Sequence, residues 1–133
     1  MYQLGGKTIY ANMSDMQLGR GETIEDTAKV ISRYVDIAVL RTNKHSTLES
    51  FAKNASIPVI NGLTNKSHPC QVLADLITVK EHIGDIENKS YVWFGPANNM
   101  LTSWIHAAQI IGFELRICSV SYTHLRAHET QRY

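Results

Sequence analysis

At 133 residues and 15.0 kDa, with 44% hydrophobic and 19% charged residues, the chain has the size and composition of a globular protein with roughly one domain's worth of core. Thirteen Lys and Arg against twelve Asp and Glu leave a formal charge of +1, which removes the electrostatic case for a nucleic acid or an anionic membrane surface as partner. Apolar runs such as Ile37 to Leu40 and Tyr91 to Phe94 fall far short of the ~20 residues a bilayer requires, and Met1 to Gly6 carries no basic-then-apolar secretory start, so a cytoplasmic setting is expected, with no membrane partner. The two cysteines, Cys70 and Cys118, lack a metal-type spacing and read as buried reduced thiols.

In chain order, Lys7 to Ala11 reads as a short strand after Gly5-Gly6, and Asn12 to Gly21 as a polar loop. From Thr23 to Val35 the apolar residues Ile24, Ala28, Ile31 and Val35 recur every three or four positions behind Glu22, Glu25 and Asp26, which marks an amphipathic helix with acids at its positive end. Ile37 to Leu40, ending in Arg41, has the fully apolar pattern of a parallel strand covered on both faces. Thr47 to Asn54 is a short helix, Ile57 to Ile60 a second buried strand, and Asn61 to Ser67 a loop of turn-forming residues. Pro69 suits a first helical position. Val72, Leu76, Val79 and Ile83 mark one face of that helix until Gly84 stops it. Ser90 to Phe94 is a strand, Gly95 to Asn98 a tight connection, Asn99 to Ile111 a helix closed by Gly112, and Glu114 to Cys118 a final strand. Ser119 to Tyr133 has no assignable period.

This β-α alternation implies an α/β fold, a parallel sheet with helices on both faces and right-handed crossovers. Ligands in such sheets bind beyond the carboxyl ends of the strands, which directs attention to the loops starting at Asn12, Arg41, Asn61 and Gly95. Arg41 follows a strand, where its planar fork can hold a phosphate or carboxylate bidentately. His68 sits at a helix start with Gln71 close behind, and the free N–H groups there suit an anion. A neutral imidazole beside an amide can engage a carbonyl oxygen and an amide nitrogen together. Taken singly, an Arg at a strand end is usually solvated and a His at a helix start is usually a cap; their joint placement is what suggests a small anionic ligand with a carbonyl to polarise. Cys70 reads as filler rather than an activated thiol. His124 and His128 stand i, i+4 but lack a third ligand, so no metal is expected. Gly19-Arg20-Gly21 is half a dinucleotide fingerprint, with Ile24 where a further glycine would stand.

Read together, Gln17-Leu18-Gly19-Arg20-Gly21-Glu22-Thr23, Arg41-Thr42, Val59-Ile60-Asn61-Gly62-Leu63-Thr64 and His68-Pro69-Cys70-Gln71-Val72-Leu73-Ala74-Asp75 resemble the ornithine branch of the aspartate/ornithine carbamoyltransferase family. Gly95-Pro96-Ala97-Asn98-Asn99 is similar to that family's Gly-Asp-Gly-Asn-Asn loop, with Pro96 and Ala97 replacing Asp and Gly. The resemblance covers roughly Met1 to Cys118. It implies transfer of a carbamoyl group from carbamoyl phosphate to the δ-amine of L-ornithine, giving citrulline and phosphate without cofactor or metal, in a homotrimer or a multiple of trimers. It further implies that Arg41, His68 and Gln71 hold carbamoyl phosphate with Pro69 and Cys70 beside them. Gln17 would reach a neighbouring subunit's site, and Asn98 and Asn99 would meet the amino acid. Residues 1–84 would be a partial carbamoyl-phosphate-binding domain, 89–118 the start of an amino-acid-binding domain, and 119–133 an unassigned tail.

The chemistry suits that assignment, because attack of an amine on the carbamoyl carbon builds charge on its oxygen, where preplaced donors act on the transition state. The family's Ser-Thr-Arg-Thr motif would precede the segment matching Met1 to Gly6, and its later ornithine-binding segments have no counterpart here. The 133-residue chain alone is therefore expected to be inactive or nearly so. Other readings are a non-catalytic phosphate- or nucleotide-binding α/β module, an inert truncated product, and a carbamoyltransferase for a different amine.

Overall fold

Residues 1–12 and 21–119, with the backbone of 130–132, are described by a computed structural model. Residues 13–20, 120–129 and 133 lie outside it, and with them Gln17, Gly19, Arg20, His124 and His128.

Helix α1 (Ile24–Ile31) begins where the Thr23 hydroxyl accepts the Asp26 N–H at 3.1 Å, with Glu25 and Asp26 in its first turn. It ends four residues short of the expected Val35. The Ser32 hydroxyl turns back onto the Ala28 carbonyl at 2.6 Å, and the next N–H groups, of Arg33 and Tyr34, bond three residues back, tightening and closing the helix.

Strand β1 (Ala38–Arg41) pairs in parallel with β2 (Val59–Leu63) across helix α2 (His45–Asn54). Ala38 faces Val59, and after an irregularity beyond Leu40 Arg41 comes opposite Leu63. β2 therefore runs through Asn61, Gly62 and Leu63, which had the composition of a loop. Gly62 permits this: a Cβ there would lie 3.0 Å from the Leu40 carbonyl oxygen and 3.1 Å from Val39, so only glycine lets the strands close at the irregularity. Ala28, Ala38 and Phe51 form the core beneath the pair, flanked by Ile24, Ile31, Leu40, Ile57 and Val59. β1 is not covered on both faces as its apolar run suggested, since Val39 is 64% exposed.

Lys7 to Ala11 is not a strand. It is backbone without a ladder, because no described strand pairs with it and Ile9 and Tyr10 stay largely in solvent.

Helix α3 (Pro69–His82) leads to β3 (Ser90–Phe94), helix α4 (Asn99–Ile111) and β4 (Glu114–Cys118). β3 and β4 run parallel in unbroken register from Ser90 opposite Glu114 to Phe94 opposite Cys118. β5 (Thr130–Arg132), in the tail that had no assignable period, adds an antiparallel partner to β4. The second core joins Val72 and Leu76 of α3, Leu101 of α4, and Phe113, Leu115 and Ile117 at β4. Tyr91 packs on Phe113 and Trp104 with ring centroids 4.5 and 5.3 Å away, separations typical of aromatic pairs. The class is α/β with parallel strands, as expected, but the strands divide into two sheets, β1-β2 and β3-β4-β5. Cys70 and Cys118 are free thiols, half-buried rather than buried.

Candidate functional site

The loops after β1, β2 and β3 are drawn together by hydrogen bonds. The Thr42 N–H reaches the Leu63 carbonyl at 3.0 Å, and the Asn65 N–H reaches the Asn43 carbonyl at 2.9 Å, so the Arg41 end of β1 lies against the start of the 64–68 loop. From the second sheet, Asn99 Nδ2 donates to the Thr64 carbonyl at 2.8 Å, and Ser103 Oγ accepts the His68 N–H at 2.7 Å. Asn98 begins α4 by accepting the Met100 and Leu101 N–H groups on its side-chain oxygen.

Thr64 is the hub of this arrangement, fully buried and surrounded by polar partners. Its Oγ1 accepts the N–H groups of Ser67 at 3.2 Å and Lys66 at 3.3 Å, and stands 2.9 Å from His45 Nδ1. Two acceptor positions filled by backbone N–H groups leave the hydroxyl proton to donate, and the close imidazole nitrogen is a better recipient than the Ser67 carbonyl at 3.4 Å. The other ring nitrogen, His45 Nε2, faces Glu49 at 3.6 Å.

His68 occupies the N-cap position of α3, yet its side chain makes no capping bond, and Nδ1 is buried without a partner among the described residues. Asn61 Oδ1 is a second such atom, although Asn61 Nδ2 is bonded to the Ser67 hydroxyl at 2.9 Å. Pro69 takes the first helical position, where the missing N–H costs nothing. The Cys70 thiol donates to the Asn61 carbonyl at 3.4 Å, which ties the helix start to β2 and accounts for the residue as packing. Gln71 is exposed, with Nε2 bonded to Asp75 Oδ1 at 2.9 Å.

Arg41 ends β1 in solvent and borders a cavity of about 350 Å³ enclosed by Ile9, Ile24, Ile31, Ala38 and Phe51. His68 and Gln71 do not line that cavity; what links Arg41 to them is the paired course of the two loops. Asn98 and Asn99 border an open cleft of about 530 Å³ together with Asn65, Lys66 and Thr102. Lys66 and Asn65 thus bring the β2 loop to the same cleft as the start of α4. Among the described residues no group of three His, Cys, Asp or Glu could hold a metal, and no helix is long and apolar enough to cross a membrane.

Sequence reasoning passed over Thr64, Ser103 and His45 as individual contributors. Thr64 lay in a segment read for its turn-forming composition, and Ser103 inside a helix read only for its bounds. The signal for Ser103 was available: it stands four residues after Asn99, on the same helical face, at a polar position on a helix otherwise packed into a core.

The family model for the aspartate/ornithine carbamoyltransferase, carbamoyl-P binding domain matches residues 1–81. The ornithine carbamoyltransferase of Caulobacter vibrioides is 53% identical over 132 residues, covering 99% of this chain and 42% of that protein. That of Burkholderia cenocepacia is 56% identical over 117 residues, covering 88% and 38%. Among solved structures, the ornithine carbamoyltransferase of Burkholderia thailandensis is 53% identical with a TM-score of 0.81, over 87% of this chain and 40% of its own. The Pyrococcus furiosus enzyme is 45% identical with a TM-score of 0.84, over 90% and 38%. The chain thus spans about two fifths of the length of the relatives it matches. With the Caulobacter match running into the tail and the family model covering more than half of its residues, the chain belongs to the aspartate/ornithine carbamoyltransferase family.

Proposed function

We propose that the chain carries the carbamoyl-phosphate-binding part of an ornithine carbamoyltransferase, followed by the first elements of the amino-acid-binding part. Residues 1–84 would form the first and 89–118 enter the second. The observation that supports the reading is the hydrogen-bonded junction in which Asn99 bonds the Thr64 carbonyl and Ser103 the His68 N–H, since it joins at the strand ends the loops assigned to carbamoyl phosphate and to the amino acid.

In the reaction, the neutral δ-amine of L-ornithine attacks the carbamoyl carbon of carbamoyl phosphate. The bond from that carbon to the phosphate oxygen breaks, phosphate leaves with the electron pair, and the attacking nitrogen loses a proton, giving citrulline. Arg41 is assigned to the phosphate and the carbamoyl oxygen, where its fork matches two acceptors. His68 donates to the carbamoyl oxygen as charge grows on it, and Gln71 orients the carbamoyl NH₂ by accepting from it. Pro69 and Cys70 set the start of α3 beneath the donor. Asn98 and Asn99, at the opening of the cleft, face the amino acid, and Gln17 is assigned to a neighbouring subunit's site in a trimer. No cofactor is called for, because charge stabilisation and positioning supply the rate. The cytoplasm and arginine metabolism are the setting this reaction implies.

The test is calorimetric titration of the chain with carbamoyl phosphate, and separately with ATP and NAD, alongside a colorimetric citrulline assay. Carbamoyl phosphate is expected to bind, to be displaced by inorganic phosphate, and to be lost in Arg41→Ala and His68→Ala, with no citrulline formed by the isolated chain. Tighter binding of a nucleotide would replace this reading with that of a nucleotide-binding module. Clear turnover of ornithine would show that the chain is not inactive on its own.

A further inference from the structure

We infer that Ser103 is a positioning residue for the donor site: it takes over a capping task that would otherwise fall to Gln71, and so keeps the Gln71 carbonyl free for the ligand. The inference rests on the assignment of His68 and Gln71 to the carbamoyl donor.

A helix beginning at Pro69 has His68 at the N-cap and Gln71 at the third helical position. In the capping box a Glu or Gln at that position reaches back to accept the N–H of the N-cap residue, a bond that Gln71 has the geometry to make although His68 supplies no side-chain cap in return. Here the His68 N–H goes instead to Ser103 Oγ at 2.7 Å, on another helix thirty-five residues away. Ser103 is 4% exposed, and its own proton is spent on the Asn99 carbonyl at 2.9 Å, so its oxygen can face His68 only as an acceptor. A buried N–H without a partner is costly, which makes the bond a real constraint on the His68 backbone. Gln71, relieved of this task, stays exposed with Nε2 on Asp75, and its Oε1 remains to accept from a carbamoyl NH₂. The same hydroxyl joins His68 to Asn99, whose Nδ2 is already committed to the Thr64 carbonyl. One serine therefore sets the backbone of the donor-side His and the start of the helix bearing the acceptor-side Asn.

Ser103→Ala separates this role from mere packing, since Ala favours a helix and fits the space. In the 133-residue chain, the His68 amide should exchange with solvent about tenfold faster, the loss expected for one hydrogen bond, and the Gln71 side-chain amide resonances should move as Oε1 is drawn to the helix start. Affinity for carbamoyl phosphate should fall about three- to tenfold while affinity for inorganic phosphate stays, because Gln71 touches only the carbamoyl half. Ser103→Thr, which keeps the hydroxyl, should restore all three. The inference is overturned if Ser103→Ala leaves His68 exchange and the Gln71 resonances as they were. Failure of the unsubstituted chain to bind carbamoyl phosphate would strike instead at the proposed function, with the exchange and resonance results still deciding the role of Ser103.

Discussion

Replacing Thr64 by Val removes one hydroxyl and little volume from a fully buried position, so its cost isolates the polar half of the hub. Three contacts vanish: the 2.9 Å bond to His45 Nδ1, and the bonds from the N–H groups of Ser67 and Lys66 at 3.2 and 3.3 Å. A single hydrogen bond contributes about 0.5–1.5 kcal/mol net, and the two longer ones fall at the weak end. Lys66 is exposed, so water can replace part of what its N–H loses. The sum is about 2–3 kcal/mol. With a urea slope of about 1–2 kcal/mol/M for a small protein, the midpoint should fall by roughly 1–3 M without a change in slope. Thr64→Ser provides the comparison, because it keeps the hydroxyl and loses only a methyl group, at about 1 kcal/mol. Urea unfolding followed by tryptophan fluorescence measures both, and exchange of the Ser67 amide reports the loop directly. A Val variant as stable as the Ser variant, or more so, would refute the reasoning, since it would mean that the methyl group and not the hydroxyl holds the loop.

Phe113→Ala empties the centre of the second core, where Phe113 meets Tyr91 at 4.5 Å and Trp104 at 5.8 Å; a loss of about 3–5 kcal/mol is expected in urea unfolding, and a loss under 1 kcal/mol would contradict the packing. The Glu25 carboxyl is held below its ordinary range chiefly by the Ser50 hydroxyl. A carboxyl whose folded value is lowered adds stability above its unfolded value of ~4.3 and loses it as pH falls through the lower folded value. The stability gap between wild type and Ser50→Ala, measured by urea unfolding at pH 7 and pH 3, should therefore narrow at pH 3, and a gap that does not change with pH would remove the Glu25 contact as its source.

Where period and punctuation agreed, the elements were legible. Asn99 to Ile111 has an Asn before it, a Gly after it and apolar residues between, and the helix occupies those positions. Ser90–Phe94 and Glu114–Cys118 alternate inside and outside as strands should. Misreadings arose where a partner decides the outcome. Lys7 to Ala11 has strand composition, but a strand exists only against a neighbour's ladder. Asn61-Gly62-Leu63 has turn composition, but the bare Cα of Gly62 lets β2 continue beside Leu40. Helix α1 was lengthened by counting Val35, where a serine hydroxyl competing for a backbone carbonyl outweighed one more apolar residue. At the site, His68, Gln71 and Asn99 stood out because their side chains carry recognisable chemistry at strand-end loops. Thr64 and Ser103 did not, because the Thr64 carbonyl accepts from the Asn99 side chain and the Ser103 hydroxyl from the His68 N–H, each partner thirty-five residues away in sequence.

The division into two sheets has a consequence for how the site is held. α3 begins at β2, with Cys70 bonded to the Asn61 carbonyl, yet its buried residues Val72 and Leu76 belong to the core of the other sheet with Leu101, Phe113 and Leu115. The helix that begins after His68 is therefore seated on the core of the second sheet. An interior packed as densely as an organic crystal does not yield gradually, so a displacement of α4 against α3 is carried to the start of α3 and to the Ser103 and Asn99 bonds that clasp it. The two cores have no residue in common, and α3, packed in the second and tied to β2 at Cys70, links the ends of the two sheets. In the proposed function His68 and Asn99 serve one site, and the bonds from Ser103 and to Thr64 that hold them would fix its geometry, on which the reaction rate depends.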